Sequence, residues 1–174
     1  MNFHVQPDGE GHQGRLKVGG REFRCALGRH GIVAGPDKQE GDGKTPAGAW
    51  PLRTVLFRPD RLEAPATRLA IHPLRPLDAW CDDPASPFYN QKIAWPGSAS
   101  AERLWRDDDL YDLVVVVGHN VHPIIVGRGS AIFLHVATPD FAPTAGCVAL
   151  SRRDLLVALA LADADSALII PRPG

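Results

Sequence analysis

The sequence predicts a mainly β fold with many short strands and few short helices. Sixteen prolines and seventeen glycines among 174 residues make the chain rich in turns, which favours short strands over long helices. Apolar residues recur in short segments, and no apolar run approaches the length of about 18 residues that a membrane span needs. The length suits one compact domain, so we expect a single domain over residues 1–174.

The first elements predicted are a hairpin and a half-buried strand. Residues 15–18 and 21–27 flank Gly19-Gly20, a dipeptide typical of hairpin turns. Residues 49–57 then carry apolar side chains at the spacing of a strand with one buried face.

The middle of the chain predicts a long insertion followed by a buried strand. Residues 59–96 are rich in Pro, Asp and Arg and predict mainly loop, with a short strand near 69–71. A long irregular insertion in a compact domain is more often a functional surface than filler. Residues 101–106 predict one or two helical turns, and 111–118 predict a fully buried strand.

The last third predicts a strand, a capped helix and a closing strand. Residues 131–137 form the strand. Ser151 is the expected N-cap of the helix, and Asp154 occupies the acidic position of a capping box. Apolar residues at helical spacing continue through 155–162, and 167–170 predict the final strand.

The chemistry of the chain is concentrated in a histidine and a cysteine near the C-terminus. Phe133 and His135 share one face of their strand by two-residue alternation. A free thiol has a pKa of about 8.5, so Cys147 needs a base or a positive field to act as a nucleophile. Gly146 permits an unusual backbone conformation beside the sulfur and leaves room for a substrate.

Two interpretations of Cys147 follow from its position. Most buried free cysteines act only as small hydrophobic residues. We expect Cys147, however, to lie in the connection before the capped helix, and catalytic groups concentrate in such connections. With His135 as the nearest base, the segment predicts an activated sulfur nucleophile.

This segment resembles the signature of the L,D-transpeptidase catalytic domain, also called the YkuD domain. The matching residues are His135 and, after a loop, Thr144-Ala145-Gly146-Cys147-Val148. Residues 41–48, with a Thr-Pro-Ala-Gly turn before a strand, are similar to the early segment of the family, and 127–135 are similar to one of its branches. The resemblance covers residues 41–170 and implies a mixed β-sandwich with a short helix after the catalytic cysteine.

Two departures from the family pattern bear on substrate choice. Many members carry Arg two residues after the cysteine, where this chain has Ala149, and Arg128, Arg152 and Arg153 are the substitutes available. Twelve positions separate His135 from Cys147, fewer than in many members, which implies a shorter loop and an altered pocket.

The resemblance implies a cysteine-dependent L,D-transpeptidase that acts on diaminopimelate-containing peptidoglycan stem peptides and contributes to the cell wall and cell shape. Cys147 would form a thioester, His135 would hold it as thiolate or take its proton, and an amine would resolve the thioester into a cross-link. Backbone N–H groups of Thr144, Ala145 and Gly146 are the expected oxyanion donors. Carbapenem-type β-lactams are expected inhibitors. The alternatives are a hydrolase of the same fold, either an L,D-carboxypeptidase or an amidase, and a non-catalytic cell-wall-binding module.

Four further residues are candidates for contacts with substrate. Arg128 lies between two glycines and could hold a carboxylate through two parallel hydrogen bonds; the alternative is a solvated loop charge. His119 and Asn120 follow the buried strand and are expected at the mouth of the cleft that contains His135, or else as solvated loop residues. Tyr89 either contacts substrate or anchors a local turn.

The sequence predicts no cofactor, metal, nucleic-acid partner or membrane span. His119 and His122 are spaced three apart, but no third zinc ligand is identifiable. A net charge of -1 provides no basic surface for nucleic acid.

Localisation and disulfide pairing remain open at this level. The resemblance implies the periplasm or cell envelope, whereas the first nine residues lack the charged and apolar regions of a secretory signal. Export by another route and a cytoplasmic protein are both consistent with these residues. Three cysteines leave at least one unpaired, and a bond between Cys25 and Cys81 is geometrically undetermined.

Overall fold

The computed structural model describes residues 1–9, 11–97 and 100–173. Within these residues the chain forms thirteen strands, one 3₁₀ turn (Gly35–Asp37) and one α-helix, α1 (Arg152–Leu159), which confirms the mainly β prediction. The strands are β1 (Phe3–Pro7), β2 (Gln13–Val18), β3 (Arg21–Ala26), β4 (Ile32–Ala34), β5 (Thr45–Phe57), β6 (Ala70–Pro73), β7 (Asp78–Cys81), β8 (Lys92–Ala94), β9 (Ala101–Arg103), β10 (Leu113–Val117), β11 (Phe133–Val136), β12 (Val148–Leu150) and β13 (Ala167–Ile170).

The large sheet folds back on itself and encloses the main core. Its order is β10-β11-β12-β3-β2-β1-β13-β5, and β5 also pairs with β10. The long β5 makes this closure because residues 48–51 pair with β13 and residues 52–57 pair with β10. β4 and β6 pair in parallel with the two ends of β5. The result is the sandwich-like arrangement expected from the resemblance.

Two-residue alternation divides β10 and β11 between two hydrophobic clusters. Leu113, Val115 and Val117 point into the main core, where Leu134 and Val136 of β11 meet them. Val114 and Val116 of β10 and Phe133 of β11 belong to a second cluster on the opposite face. Burying such side chains stabilises the fold by about 1.5–3 kcal/mol each, so both faces of these strands are firmly held.

A small sheet, in the order β8-β7-β9, covers the second cluster. Trp80 of β7 places its ring edge-on to Phe133, with 5.2 Å between ring centroids. The prediction of mainly loop over 59–96 is therefore wrong for β7 and β8. The helical turns predicted over 101–106 are also wrong, since β9 pairs antiparallel with β7. Pairing between distant segments, which local propensity does not encode, decides both cases.

The remaining elements match the predictions from the sequence to different degrees. The hairpin is confirmed, because β2 and β3 pair around Gly19 and Gly20, both at positive φ. The strand predicted from 49 begins at Thr45 and takes in the Thr-Pro turn. β1 and β4 were not predicted. β1 alternates buried and exposed side chains and is held by parallel pairing with β13, a partner far away in the chain.

The helix start is confirmed at the cap. The hydroxyl of Ser151 accepts a hydrogen bond from the N–H of Asp154 at 3.1 Å, which satisfies one of the unpaired donors of the first turn. α1 ends at Leu159, three residues before the predicted end. One expectation is wrong: β12 lies between Cys147 and the helix, so the cysteine precedes a strand.

Candidate active site

Cys147 lies at the entry to β12, beside the strand that carries His135. Its side chain is 7% exposed and belongs to the second hydrophobic cluster. The thiol donates a hydrogen bond to the carbonyl of Ala131 at 3.1 Å, and Sγ accepts one from the N–H of Phe133 at 3.4 Å. Two backbone groups therefore hold the sulfur at the sheet surface.

His135 shares the face of the sheet that carries Cys147. β11 and β12 are parallel, with Leu134 opposite Val148 and His135 opposite Ala149. By alternation His135 lies on the same side as Phe133, which confirms the predicted face. His135 and Cys147 both line one cavity of about 430 Å³.

A backbone carbonyl determines the tautomer of His135. Nδ1 is 2.8 Å from the carbonyl oxygen of Val136. Because a carbonyl only accepts hydrogen bonds, Nδ1 carries the proton and Nε2 of the neutral ring is the acceptor. The ring also packs edge-on to Tyr111, with 5.2 Å between centroids. A backbone carbonyl therefore orients this imidazole.

Burial keeps both groups uncharged in the free protein. Burial raises the pKa of the Cys147 thiol to about 12, and the nearby carboxylate of Glu102 acts in the same direction. Burial also lowers the pKa of His135 to about 4, although the carbonyl of Val136 opposes this. Of the two roles predicted for His135, these directions favour proton acceptance during attack over a stored thiolate, and the role itself stays a prediction.

The turn before Cys147 is fixed by its own hydrogen bonds. Thr144 Oγ1 donates to the carbonyl of Cys147 at 2.7 Å and accepts from the N–H of Gly146 at 3.1 Å. Gly146 has φ of +141°, and a Cβ there would lie 2.8 Å from the carbonyl oxygen of Lys44. Glycine is therefore required at this position by both conformation and space. Thr144 and Ala145 also line the cavity.

Three of the residues predicted to contact substrate lie away from the cavity that contains Cys147. His119, Asn120 and Arg128 border a second cavity of about 780 Å³, and none of them is among the residues lining the cavity of Cys147. His119 Nε2–H donates to the carbonyl of Arg128 at 2.9 Å, and burial lowers the pKa of His119. The guanidinium of Arg128 donates to the carbonyl of Pro36 at 2.5 Å. A contact of these residues with substrate stays a prediction, and it would be made at the second cavity.

Tyr89 and its neighbour Asn90 are buried in the connection between β7 and β8. The hydroxyl of Tyr89 donates to the carboxylate of Glu40, and Glu40 lines the cavity of Cys147. Burial, together with this carboxylate, raises the pKa of Tyr89. Tyr89 therefore reaches the site through Glu40, and its contact with substrate stays a prediction.

Asn90 ties the small sheet to the backbone that holds the thiol. Its Oδ1 accepts from Trp80 Nε1 at 2.9 Å and from the N–H of Ala131 at 3.1 Å. Its Nδ2 donates to the carbonyl of Asn120 at 2.7 Å. Ala131 is the residue whose carbonyl receives the Cys147 thiol, so Asn90 is a positioning residue. Asn90 has φ of +56°, a conformation that asparagine tolerates better than most residues.

Sequence reasoning missed an acidic wall of the same cavity. Asp82 and Glu102 line it, and the hydroxyl of Tyr111 donates to Glu102 at 2.5 Å. The available signal was the two-residue spacing of Glu102 and Leu104, which puts both side chains on one face of a strand and which the helical interpretation of 101–106 concealed.

The remaining cysteines and histidines form no further centre in the part of the chain that the structure describes. Cys25, Cys81 and Cys147 are all free thiols, and Cys25 lies in the large sheet whereas Cys81 lies in the small one. No group of three His, Cys, Asp or Glu side chains among the described residues is arranged to hold a metal ion. Nor is any helix among them long and apolar enough to cross a membrane.

Comparison with protein families decides the identity of the domain. The model of the L,D-transpeptidase catalytic domain, YkuD, matches residues 12–169. The chain belongs to this family. Comparisons with curated proteins and with solved structures return no match. Family membership makes the cavity with Cys147 and His135 the candidate active site, which its geometry alone would not do.

The structure also locates the departures from the YkuD pattern. Ala149, in the place of the arginine of many members, is 1% exposed and lines the cavity. Of the substitutes, Arg152 is bound to the buried carboxylate of Asp112, and Arg128 lies at the second cavity. The cations that do line the Cys147 cavity are Lys38 and Arg106, neither of which the sequence had suggested.

We expect Asn90→Ala to lower the free energy of unfolding by at least about 3 kcal/mol, because it leaves the indole N–H of Trp80 and two buried backbone groups without partners. Urea unfolding followed by fluorescence measures the change. Asn2→Ala, at an exposed position, is the control and should leave stability nearly unchanged. A loss below about 1 kcal/mol for Asn90→Ala would contradict the positioning role.

The lowered pKa of His135 predicts a pH-dependent stability. The pKa is about 4 in the folded protein and about 6.5 when unfolded, so the unfolded state binds more protons between these values. The stabilisation is complete above pH of about 6.5 and is lost as the pH falls towards 4, by up to about 3 kcal/mol. Urea unfolding at several pH values should show a shallower dependence in His135→Gln, while exposed His4→Gln should follow the parent protein.

Proposed function

We propose that this protein is a cysteine L,D-transpeptidase that forms cross-links between peptidoglycan stem peptides containing diaminopimelate. The observation that carries the proposal is the shared cavity of Cys147 and His135 in a chain of the YkuD family. Such substrates lie in the cell envelope, and we place the working protein there. The proposed substrates also make carbapenem-type β-lactams candidate acylating inhibitors.

The first step is attack of Cys147 on a peptide carbonyl. Because thiol and imidazole are both neutral at rest, Nε2 of His135 takes the proton as sulfur bonds to the carbonyl carbon. The protonated ring then gives this proton to the departing amine, and a thioester remains. The hydrogen bond from Nδ1 to the carbonyl of Val136 keeps Nε2 available for both transfers.

The developing oxyanion needs donors close to the sulfur. The proposed donors are backbone N–H groups of the turn of residues 144–147. The N–H of Thr144 already donates to the carbonyl of Leu27 at 2.9 Å, so the donors would be those that follow it in the turn. In the resting protein the N–H of Gly146 donates to Thr144 Oγ1. The same hydroxyl donates to the carbonyl of Cys147, which holds the turn in one conformation before substrate arrives. An amine acceptor then displaces the sulfur and forms the cross-link.

A hydrolase of the same fold is the second candidate, and Ala149 is the observation that favours it. Without an arginine at this position, the pocket loses a carboxylate contact that helps many members to hold their peptides. Water would then resolve the thioester, and the product would be a shortened stem peptide. The non-catalytic alternative finds support in the raised pKa of the buried Cys147 thiol.

Incubation with purified muropeptides, followed by mass spectrometry, distinguishes the three candidates. We expect cross-linked dimers with the parent protein and with Cys25→Ala, whose cysteine lies in β3, and none with Cys147→Ala. Shortened monomers without dimers would indicate the hydrolase. Unchanged muropeptides under all conditions would favour the binding module and contradict the proposal.

The role of His135 is tested by acylation with a carbapenem. His135→Gln should slow formation of the covalent adduct on Cys147 at least about a hundredfold, since a positioned general base contributes about 10²–10⁴-fold. Intact-protein mass spectrometry follows the adduct. His119→Gln, which alters the second cavity, is the matched control and should acylate at the parent rate. Near-parent acylation of His135→Gln would exclude His135 as the base.

A further inference from the structure

The small sheet presents an acidic face to the cavity of Cys147. Trp80 pairs with Glu102 across β7 and β9, and the N–H of Asp82 donates to the carbonyl of Ser100 at 3.3 Å. By alternation the side chains of Trp80, Asp82 and Glu102 lie on one face of this sheet. Asp82 and Glu102 both line the cavity. The small sheet that covers the site therefore contributes two carboxyl groups to it.

The cations that line the cavity are already bound to other carboxylates. Lys38 Nζ is 2.5 Å from Oδ1 of Asp42. Arg106 binds Asp108 through two hydrogen bonds, of 2.8 and 2.6 Å. Neither Asp42 nor Asp108 lines the cavity. Among the described residues neither Asp82 nor Glu102 forms an ion pair, although the nearby charge of Arg106 favours the ionised form of Glu102.

Two polar atoms on the cavity wall are buried without a hydrogen-bond partner among the described residues. They are Oδ1 of Asp82 and Oγ of Ser130, and the side chain of Ser130 belongs to a residue that is only 8% exposed. A buried acceptor without a donor is unfavourable, so a ligand that supplies donors would be stabilised here. Ser130 immediately precedes Ala131, whose carbonyl holds the Cys147 thiol.

A primary ammonium group matches these atoms. It carries one positive charge and three N–H donors and has no acceptor. The wall offers two carboxyl groups and one hydroxyl, beside the sulfur where an acyl group would be attached. The diaminopimelate of a donor peptide carries an ammonium as well, but only the acceptor's ammonium has to give up a proton beside the thioester before it can attack. The acidic wall therefore suits the acceptor.

We propose that Asp82, Glu102 and Ser130 form the subsite for the acceptor ammonium, and that Glu102 takes the proton which frees the amine for attack. This rests on the proposed transpeptidase function. The hydroxyl of Tyr111 binds Glu102 at 2.5 Å, and the ring of Tyr111 packs on His135 with 5.2 Å between centroids. Glu102 is thus one side chain away from the base of the first step. Burial raises the pKa of Glu102, which strengthens it as a proton acceptor.

The protons and bonds balance in this step. The ammonium gives one proton to the carboxylate of Glu102, and its nitrogen lone pair attacks the thioester carbonyl. The carbon–nitrogen bond forms, the carbon–sulfur bond breaks, and a second proton passes from the nitrogen to the leaving sulfur. The products are an amide, a neutral Cys147 thiol and a protonated Glu102, which then releases its proton to water.

The test measures how the isolated acyl-enzyme partitions between aminolysis and hydrolysis. The acyl-enzyme is formed with a stem peptide, separated from free peptide, and mixed with a diaminopimelate-containing tripeptide or with the same tripeptide acetylated on its amines. Mass spectrometry gives the ratio of cross-linked to hydrolysed product. For Glu102→Gln and Asp82→Asn we expect the ratio to fall at least tenfold. Glu63→Gln, at an exposed position, is the control and should keep the parent ratio.

The outcomes separate this inference from the proposed function. If the parent protein forms no acyl-enzyme, the proposed function itself fails. If it forms one and both carboxyl variants keep the parent ratio, the ammonium subsite is overturned. If instead the variants fold, as circular dichroism shows, but do not acylate, the carboxylates serve the donor and the acceptor assignment is overturned. Ser130→Ala gives an independent measurement, with a smaller fall in the same ratio expected.

Discussion

The parallel pairing of β11 with β12 is the constraint on which the site depends. It fixes Leu134 opposite Val148, and alternation then places His135 and Cys147 on one face. A shift of one residue in either strand would send one of these side chains into the main core. β10 holds β11 from the other side, with both of its own faces buried, so the register is secured by the two hydrophobic clusters.

The small sheet covers the face of the large sheet that carries Cys147 and His135, and so encloses the site. Asn90 joins it to the backbone at Ala131, and Trp80 packs on Phe133, so the cover and the thiol are held by a continuous set of contacts. Enclosure has an electrostatic consequence, because burial favours the neutral forms of both Cys147 and His135. The small sheet also brings the carboxylate of Glu102 near the sulfur, where it raises the pKa of the Cys147 thiol further, whereas Lys38 acts in the opposite direction.

Local sequence patterns predicted an element well where its pairing partner is near in the chain or where the pattern of residue types is strong. The hairpin around Gly19, the N-cap at Ser151 and the face shared by Phe133 and His135 all follow from short-range geometry. The small sheet was missed because its strands are three or four residues long and pair across an insertion rich in turns. The residues around His119 were assigned to the wrong cavity for a related reason, since strand-end position does not reveal which way a following turn folds.

The sequence by itself determined the candidate nucleophile, its candidate base and the glycine between turn and sulfur, since these depend on residue type and on the spacing of one segment. Only the tertiary structure decided what surrounds them. It brought Glu102 of β9 and Asp82 at the end of β7 to the wall of the cavity, and it buried the thiol deeply enough to keep it protonated. Charge and burial at a site arise from contacts between segments far apart in the chain. The spacing of residues along one segment does not predict these contacts.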